Sequence, residues 1–241
     1  MAFSTINESS LHHTLKVLYA SNYDGETEVP LDGHIYDIVS KDNKVIEIQT
    51  KNLSALVPKV KDAIEKGHDV LIVHPISITT DIHLFDEDNN LIKRSKSSKK
   101  GSIYDLFKEL TKLYPYLLND HFSLDVLLIN KTEIRIKTNS KVQSRNGRRR
   151  FPKDWLKTDK KLNEIIDTLS FNKKENYLAL LPTSLPEEFC AKDLSISLKN
   201  EKLASARIYN NCHIIIWVLA KMGLISETKI KNKSHYYKIV K

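Results

Sequence analysis

The chain has 241 residues, 41% of them hydrophobic, which is long enough to bury the core of one or two domains. It carries a net charge of +8 and two cysteines, a number too small for a disulfide framework. No apolar run is long enough to cross a bilayer, and residues 1–8 lack the features of a secretory signal. We therefore expect a soluble, cytoplasmic protein with no membrane partner.

Hydrophobic periodicity predicts alternating helices and strands in the first third of the chain. A helix is expected over residues 7–19, where Leu11, Leu15 and Leu18 recur at helical spacing. The segments that follow predict, in order, strands at 28–31, 33–40 and 45–50, an amphipathic helix at 52–66 and a buried strand at 69–76. This order favours an α/β fold with a central mixed sheet.

Acidic side chains fall on two of these neighbouring strands. Residues 41–44 are turn material, so a tight hairpin brings Asp37 of one strand near Glu47 of the next. With a period of two, Gln49 and Lys51 lie on the same face as Glu47. Two adjacent carboxylates favour a divalent cation such as Mg²⁺ between them. The alternative is a pair of solvated residues on a half-exposed sheet face.

These residues resemble the site of the PD-(D/E)xK nuclease superfamily, which has the restriction-endonuclease-like fold. The resemblance implies that Asp37 and Glu47 bind Mg²⁺ or Mn²⁺, and that Gln49 stands where the family usually has lysine. An amide cannot supply the positive charge of that lysine, but Lys51 or Lys59 could supply it. In several members a glutamate of the first helix completes the metal site, and Glu8 has that place here. Alternatively, Glu8 complements the dipole of the helix from its first turn.

Further elements extend this nuclease-like core along the chain. They are expected at residues 78–85, 102–118, 122–130 and 132–137. We accordingly predict a nuclease-like domain over residues 1–140, a basic linker with a connecting helix over 141–181, and a second domain over 182–241.

Charge is distributed unevenly along the sequence. Residues 1–92 hold 7 Lys and Arg against 15 Asp and Glu, whereas residues 93–161 hold 19 against 7. Residues 186–241 are again basic, with 10 against 5. An acidic section that carries the candidate metal site, followed by basic sections, is expected of a protein that binds DNA. A lysine-rich composition without such a partner is the alternative.

Two short segments concentrate the positive charge. Residues 93–101 form a Ser- and Lys-rich loop after a predicted strand, and residues 145–150 are richer in arginine and precede Trp155. Both suit contacts with DNA phosphates, unless they are simply solvated loops. The predicted DNA contacts in these segments are Arg94, Lys99, Lys100, Arg145, Arg148, Arg149 and Arg150.

The last 60 residues predict a short helix at 191–199, a longer helix at 204–222 closed by Gly223, and a hairpin with a basic tip. This arrangement resembles a winged helix-turn-helix, in which the second helix enters the major groove of DNA. The resemblance implies DNA contacts from Arg207 and Asn211 on that helix and from Lys231 and Lys233 on the wing. A winged helix that binds protein or forms a dimer is the alternative.

Over most of its length the chain is similar to a prokaryotic family of nuclease-like proteins with a C-terminal winged helix. The similarity runs through residues 47–56, 94–101, 147–150, 185–189 and 193–194. No Gly-rich phosphate loop is present, so no organic cofactor is expected. The sequence thus predicts a metal-dependent DNA endonuclease, and a restriction-like role favours a homodimer because cutting a duplex needs two active sites. A DNA-binding regulator that kept the fold and lost the chemistry is the alternative.

Overall fold

The computed structural model describes residues 8–144 and 147–240. Its elements begin with helix α1 (Ser10–Asn22), strands β1 (Glu26–Leu31), β2 (His34–Val39) and β3 (Val45–Ile48), a 3₁₀ turn (Leu53–Leu56), helix α2 (Val57–Glu65) and strand β4 (Val70–Phe85). Helix α1 starts after Ser9, whose hydroxyl accepts a hydrogen bond from the amide of His12 at 3.4 Å. The order of elements predicted for this part of the chain is confirmed.

The next elements are β5 (Leu91–Lys96), a 3₁₀ turn (Ile103–Asp105), α3 (Leu106–Leu110), β6 (Phe122–Val142) and β7 (Lys153–Phe171). The strands form one sheet in the order β1-β2-β3-β4-β6-β7, and β5 pairs with the outer part of β4. Strands β3, β4 and β6 run parallel, whereas β1–β2, β2–β3, β4–β5 and β6–β7 are antiparallel. The predicted α/β class with a central mixed sheet is therefore confirmed.

Strand β7 corrects the prediction of a basic linker with a connecting helix over residues 141–181. Most of that segment is an edge strand that pairs with β6, and its helical part is confined to α4 (Lys174–Leu178). The register of the β6–β7 pair shifts at several points, including Leu128/Ile129, Asn130/Lys131 and Ile134/Arg135. Each shift inserts an extra residue, which interrupts the period-two pattern that identifies a strand in a sequence.

Strands β4 and β6 are each longer than the sequence suggested. The elements expected at 69–76 and 78–85 are the two halves of β4, and those expected at 122–130 and 132–137 both belong to β6. A register shift between Ser77 and Thr79 separates the two halves of β4. Because the pairing continues past this irregularity, the sheet extends well beyond its hydrophobic core.

The C-terminal part comprises α5 (Ala191–Asn200), α6 (Ala206–Tyr209), α7 (Cys212–Lys221) and a hairpin of β8 (Ile225–Lys231) with β9 (Ser234–Ile239). The single helix predicted over residues 204–222 is wrong, because α6 and α7 are separated near Asn211. The side chain of Asn211 donates to the carbonyl of Arg207 at 2.6 Å, which competes with regular helical hydrogen bonding. Gly223, at a φ of 73°, ends α7 as predicted.

Two hydrophobic cores lie on the two faces of the sheet. Leu11, Leu15 and Tyr19 of α1 pack against one face. Helices α2, α3, α5 and α7 cover a larger core that also includes residues of the other face. Truncating a fully buried leucine such as Leu15 to alanine should cost about 2–5 kcal/mol. Across the described residues, no helix combines the length and apolar character needed to cross a membrane.

Candidate active site

The candidate site lies where β2 and β3 separate. Backbone pairing between the two strands ends at Ile38 and Ile46. Beyond that point the amide of Asp37 donates to Oε1 of Glu47 at 3.1 Å, and the amide of Ile48 donates to Oδ2 of Asp37 at 2.8 Å. The two acidic side chains, called the acid pair below, therefore replace the backbone ladder. The sequence prediction that the hairpin brings Asp37 near Glu47 agrees with this geometry.

Glu47 is buried and is held by a cation from helix α2. Lys59 forms an ion pair with Oε1 of Glu47 and donates to the carbonyl of Ile35 at 2.5 Å. The ammonium group also lies 4.5 Å from the ring centre of Tyr36. Burial and the negative charge of Asp37 raise the pKa of Glu47 to about 7, although Lys59 acts in the opposite direction. A carboxyl group with this pKa exchanges its proton near neutral pH.

Asp37 is contacted from the other side by helix α1. Nε2 of His12 lies 3.4 Å from Oδ2 of Asp37, and Nδ1 of His12 contacts Oε1 of Glu8. Burial alone would raise the pKa of Asp37, but the hydrogen bond and charge of His12 outweigh it and lower the pKa. Burial would lower the pKa of His12, but Asp37 and Glu8 together raise it to about 9. His12 is therefore a cation that joins Glu8 to Asp37.

Glu8 lies just before the N-cap of α1, and no acidic residue occupies the first turn of the helix. Its carboxylate accepts an ion pair from Lys16 at 2.9 Å, and Lys16 also contacts Glu28. Burial would raise the pKa of Glu8, but Lys16 and His12 outweigh it and lower the pKa. The structure thus favours a role of Glu8 in the charge network over the alternative of a first-turn carboxylate.

Among the described residues, the side chains of Gln49 and Lys51 form no hydrogen bond or ion pair with the acid pair. The side-chain amide of Gln49 donates to the carbonyl of Asn52 at 3.2 Å, and the carbonyl of Gln49 accepts from Nδ1 of His74 at 2.6 Å. Lys51 is exposed in the turn after β3. Of the two lysines considered for the missing motif charge, Lys59 is therefore the one beside Glu47.

The acid pair has donor atoms that fit a hard cation. Among the hydrogen bonds of residues 8–144 and 147–240, none reaches Oδ1 of Asp37 or Oε2 of Glu47. One or two carboxylates, completed by water and phosphate, are the usual protein contribution to a Mg²⁺ site. The same residues contain no group of three or more His, Cys, Asp or Glu side chains arranged for a metal ion. Glu8 is separated from the acid pair by His12, so a direct ligand role for Glu8 stays a prediction.

The segment predicted as a phosphate-binding loop over residues 93–101 is only partly a loop, because residues 93–96 belong to β5. Arg94 is exposed on β5, and the following loop runs along β4, where Ser97 and Gly101 donate to the carbonyls of Thr80 and Ser77. Lys99 and Lys100 therefore lie along the edge of β4 whose inner part pairs with β3. From Val73 to Ser77 the distance is roughly 13 Å at 3.3 Å per residue.

The arginines of residues 145–150 have different surroundings. Arg145 lies outside the described residues, and Arg148 belongs to the exposed connection between β6 and β7. Arg149 donates to the carbonyls of Val142 and Trp155 at 3.2 and 2.8 Å and lies 4.0 Å from the centre of the Trp155 ring. Arg150 lies 5.3 Å from the ring of Phe151. Arg149 thus stabilises the connection between the strands, and DNA contacts from this segment stay a prediction.

The residues predicted to read DNA from the C-terminal helix are engaged within the protein. Both carboxylate oxygens of Asp105 accept from Nη2 of Arg207, at 2.5 and 2.7 Å, and the side chain of Asn211 bonds to the carbonyl of Arg207. Lys231 and Lys233, by contrast, are exposed at the tip of the β8–β9 hairpin. Asn232 and Lys233 both have positive φ, of 50° and 62°, as a two-residue hairpin turn requires.

His12, Lys16 and Glu28 were missed as parts of the charge network. His12 shows no metal-ligand spacing with cysteine, so its sequence position does not indicate a site residue. Its four-residue separation from Glu8 was the available signal, since residues at this spacing meet on a helix. No comparable signal pointed to the contact between Lys16 and Glu28, which are joined by folding of α1 against β1.

The family described as "Domain of unknown function (DUF8091)" matches residues 9–172. This range includes α1 and ends one residue after β7, so it contains the whole seven-stranded sheet. A similar protein is an uncharacterized protein of Treponema pallidum (strain Nichols), which is 34% identical over 195 residues, 81% of this chain and 74% of that protein. No solved structure matches. The chain belongs to the DUF8091 family.

Proposed function

We propose that this member of the DUF8091 family is a metal-dependent DNA endonuclease with a restriction-endonuclease-like core. The proposal rests on the point where β2 and β3 separate. There the carboxylates of Asp37 and Glu47 accept hydrogen bonds from backbone amides of the opposite strand. The order of elements around this site and the contact of Lys59 with Glu47 support it. Both features agree with the resemblance to the PD-(D/E)xK superfamily seen in the sequence.

Asp37 and Glu47 would hold Mg²⁺ or Mn²⁺ through the carboxylate oxygens that accept no hydrogen bond from the described residues. The bound ion would supply a Lewis acid and lower the pKa of a water molecule. Lys59 would favour the ionised form of Glu47, against burial and Asp37, and place a positive charge beside the phosphate. Gln49 would need to leave the carbonyl of Asn52 before its amide could orient water.

We assign DNA as the substrate because of the basic surfaces near the acid pair. The loop with Lys99 and Lys100 lies along β4, beginning roughly 13 Å beyond the end of β3. The C-terminal part would act as a winged helix-turn-helix, with α5 and α7 as its helices and the β8–β9 hairpin as its wing. A backbone bridge between Phe189 and Tyr237 attaches the chain before α5 to this hairpin, which suits that arrangement. Lys231 and Lys233 would then contact phosphates.

A second candidate function is a DNA-binding protein without catalysis. The ion pair between Lys59 and Glu47 favours it, since Lys59 neutralises the carboxylate without a metal ion. The contact of the Gln49 amide with Asn52 points the same way. A calorimetric titration with Mg²⁺ or Mn²⁺ separates the two functions, because a protein without a metal site should bind neither ion, with or without DNA.

Cleavage of DNA tests the first function directly. The purified protein with Mg²⁺ or Mn²⁺ should nick or cut plasmid, linear or branched DNA, and EDTA should abolish the reaction. Asp37→Asn and Glu47→Gln should lower the rate by at least about 100-fold, as expected when a catalytic metal site is lost. The matched control is Glu65→Gln, which removes an exposed carboxylate from α2 and should cut as the wild type does. Intact DNA across the panel with both metals, or full activity of Glu47→Gln, would contradict the proposal.

A further inference from the structure

A group of cations occupies the outer half of the sheet, beyond the hydrophobic core. Strands β6 and β7 place Lys131, Arg135, Lys157 and Lys160 around Glu133, and these five residues are called the Lys131 cluster. Register pairs Glu133 with Lys160 and Arg135 with Lys157. Lys131, Glu133 and Arg135 alternate along β6, so they share a face. All five lie in the basic section of residues 93–161, but none is among the individual DNA contacts predicted from the sequence.

The charges of the Lys131 cluster are unbalanced. Glu133 is buried, with 7% of its surface exposed, and accepts ion pairs from Arg135 at 2.6 Å and from Lys157. Burial would raise the pKa of Glu133, but Lys157 and Arg135 outweigh it and lower the pKa. Within the described part of the chain, Lys131 and Lys160 form no ion pair and their side chains donate no hydrogen bond. Four cations therefore face one carboxylate.

The two unpaired lysines lie in surroundings that disfavour their charge. Burial, and to a smaller extent the charges of Lys160 and Lys157, lower the pKa of Lys131 to about 8. Glu133 has a weaker, opposite effect. Burial, Lys157 and Lys51 lower the pKa of Lys160, and Glu133 and Asp159 oppose them. The carboxylate of Asp159 is itself held by Ser10 and by the amide of Lys160. An incoming anion would relieve this repulsion, whereas a metal cation would increase it.

Lys51 lies close to both the end of β3 and the Lys131 cluster. It follows Ile48, the last residue of β3, by three positions, and Ile48 donates its amide to Asp37. Lys51 is also close enough to Lys160 to lower its pKa. Asp159, next to Lys160, accepts from Ser10 of α1, and His12 of the same helix reaches Asp37, so the Lys131 cluster and the acid pair both adjoin the start of α1.

We infer that the Lys131 cluster is a binding site for the phosphate backbone of duplex DNA, which it guides past Lys51 toward Asp37 and Glu47. A polyanion with regularly spaced phosphates can satisfy several partly buried lysines at once, which a single small anion cannot. Phosphate contacts position DNA without reading its sequence, so this site would set the path of the duplex. The inference rests on DNA being the substrate under the proposed function.

The test measures binding separately from cleavage. Fluorescence anisotropy in EDTA, with a 20-base-pair duplex of arbitrary sequence, gives Kd at several salt concentrations for the full-length protein. The variant Lys131→Met/Lys160→Met keeps the aliphatic bulk and removes both charges. Affinity should fall about 10- to 30-fold near 0.15 M salt, and the slope of log K against log salt should become shallower by about 1.8, from two lost phosphate contacts. The variant Lys131→Arg/Lys160→Arg keeps both charges, so its affinity and its salt slope should be close to those of the wild type.

The matched control is Lys112→Ala/Lys174→Ala, which removes the same net charge from two exposed lysines outside the Lys131 cluster. This control should change the slope by less than about 0.5. An equal loss of affinity in the control and in the methionine variant would overturn the inference, as would an unchanged slope in the methionine variant or no binding of duplex by the wild type.

Metal-dependent cleavage is assayed on the same proteins. If the wild type cleaves DNA but the methionine variant has the same salt slope as the wild type, the Lys131 cluster is not a DNA site and the proposed function stands. If the slopes change as expected but no protein cleaves DNA, the cluster binds DNA and the proposed nuclease activity is wrong.

Discussion

The backbone amide of Asp37 donates to the carboxylate of Glu47 at 3.1 Å, although the two residues belong to strands that no longer pair at that point. In return, the amide of Ile48 donates to the carboxylate of Asp37. Neither acidic side chain can turn away without leaving a backbone amide unsatisfied, which costs about 1–3 kcal/mol when it is buried. The two carboxylates are thus held in place before any ligand binds.

Replacing Glu47 should change how stability depends on pH. The folded carboxyl group has a pKa of about 7, above its ordinary value of 4.5, so the folded state binds its proton more tightly than the unfolded state does. Its contribution to stability is complete below pH 4.5 and is lost as pH rises to about 7. The Glu47→Gln variant does not lose stability in this way, because glutamine does not ionise. In EDTA, its free energy of unfolding relative to the wild type should increase by about 1–3 kcal/mol between pH 5 and 8.

Urea unfolding at several pH values measures this difference. Glu65→Gln serves as the control, because the carboxylate of Glu65 is 64% exposed and its ion pair with Lys61 is long, at 3.7 Å. Its stability relative to the wild type should vary little over the same range. A constant difference between Glu47→Gln and the wild type from pH 5 to 8 would show that burial and Asp37 do not hold a proton on Glu47.

His12 should stabilise the protein at neutral pH and lose this effect in alkali. Its folded pKa is about 9, above the ordinary 6.5, because the charges of Asp37 and Glu8 outweigh the effect of burial. The stabilisation is complete below pH 6.5 and disappears as pH rises through 9. His12→Gln should therefore be destabilised by about 1–2 kcal/mol at pH 6, with a much smaller difference at pH 9.5. NMR titration of the imidazole gives the pKa independently.

The neighbouring His13→Gln provides the comparison for that variant. The side chain of His13 is 66% exposed, and its nearest acidic partner, Glu8, is 4.0 Å away. Its replacement should alter stability by less than about 0.5 kcal/mol at either pH. If the two histidine variants behaved alike, the bridge from Glu8 through His12 to Asp37 would have no energetic role.

The pairing of Arg207 with Asp105 leads to a prediction different from that of the sequence. Arg207→Ala and Asp105→Ala should each lower stability, and a double-mutant cycle should give a coupling of about 0.2–1 kcal/mol, because the arginine side chain is 61% exposed. The ranking of DNA sequences by affinity should not change in Arg207→Ala. A change in that ranking, without measurable coupling to Asp105, would instead restore Arg207 as a residue that reads bases.

Lys131→Met should make the protein more stable while weakening its binding to DNA. The lowered pKa of Lys131 means that folding disfavours its charged form, and this penalty is present below pH 8 and disappears as pH rises toward 10.5. The melting temperature of Lys131→Met should therefore exceed that of the wild type by about 2–4 °C at pH 7, with a smaller gain at pH 10. Differential scanning calorimetry in EDTA measures it. A lower melting temperature at pH 7 would show that the ammonium group of Lys131 is already neutralised within the fold.

The sequence predicted those parts of the site that depend on short-range patterns. The hairpin carries Asp37 and Glu47 ten residues apart, and a helix with one apolar side brings Lys59 back over Glu47. Strand alternation and helical periodicity act over a few residues, so both could be recognised without the tertiary structure. The same patterns missed β7, because register shifts interrupt its alternation and an edge strand needs few apolar residues.

By itself, then, the sequence determined the α/β class, the order of elements through β4 and the position of the acid pair. The tertiary structure alone decided which charges meet. Arg207 contacts Asp105, 102 positions earlier in the chain, and Lys160 meets Lys131 through the shifted register of β6 and β7. Such contacts depend on how whole elements pack and on single-residue offsets between strands. Neither can be read from the few residues that flank a side chain in the sequence.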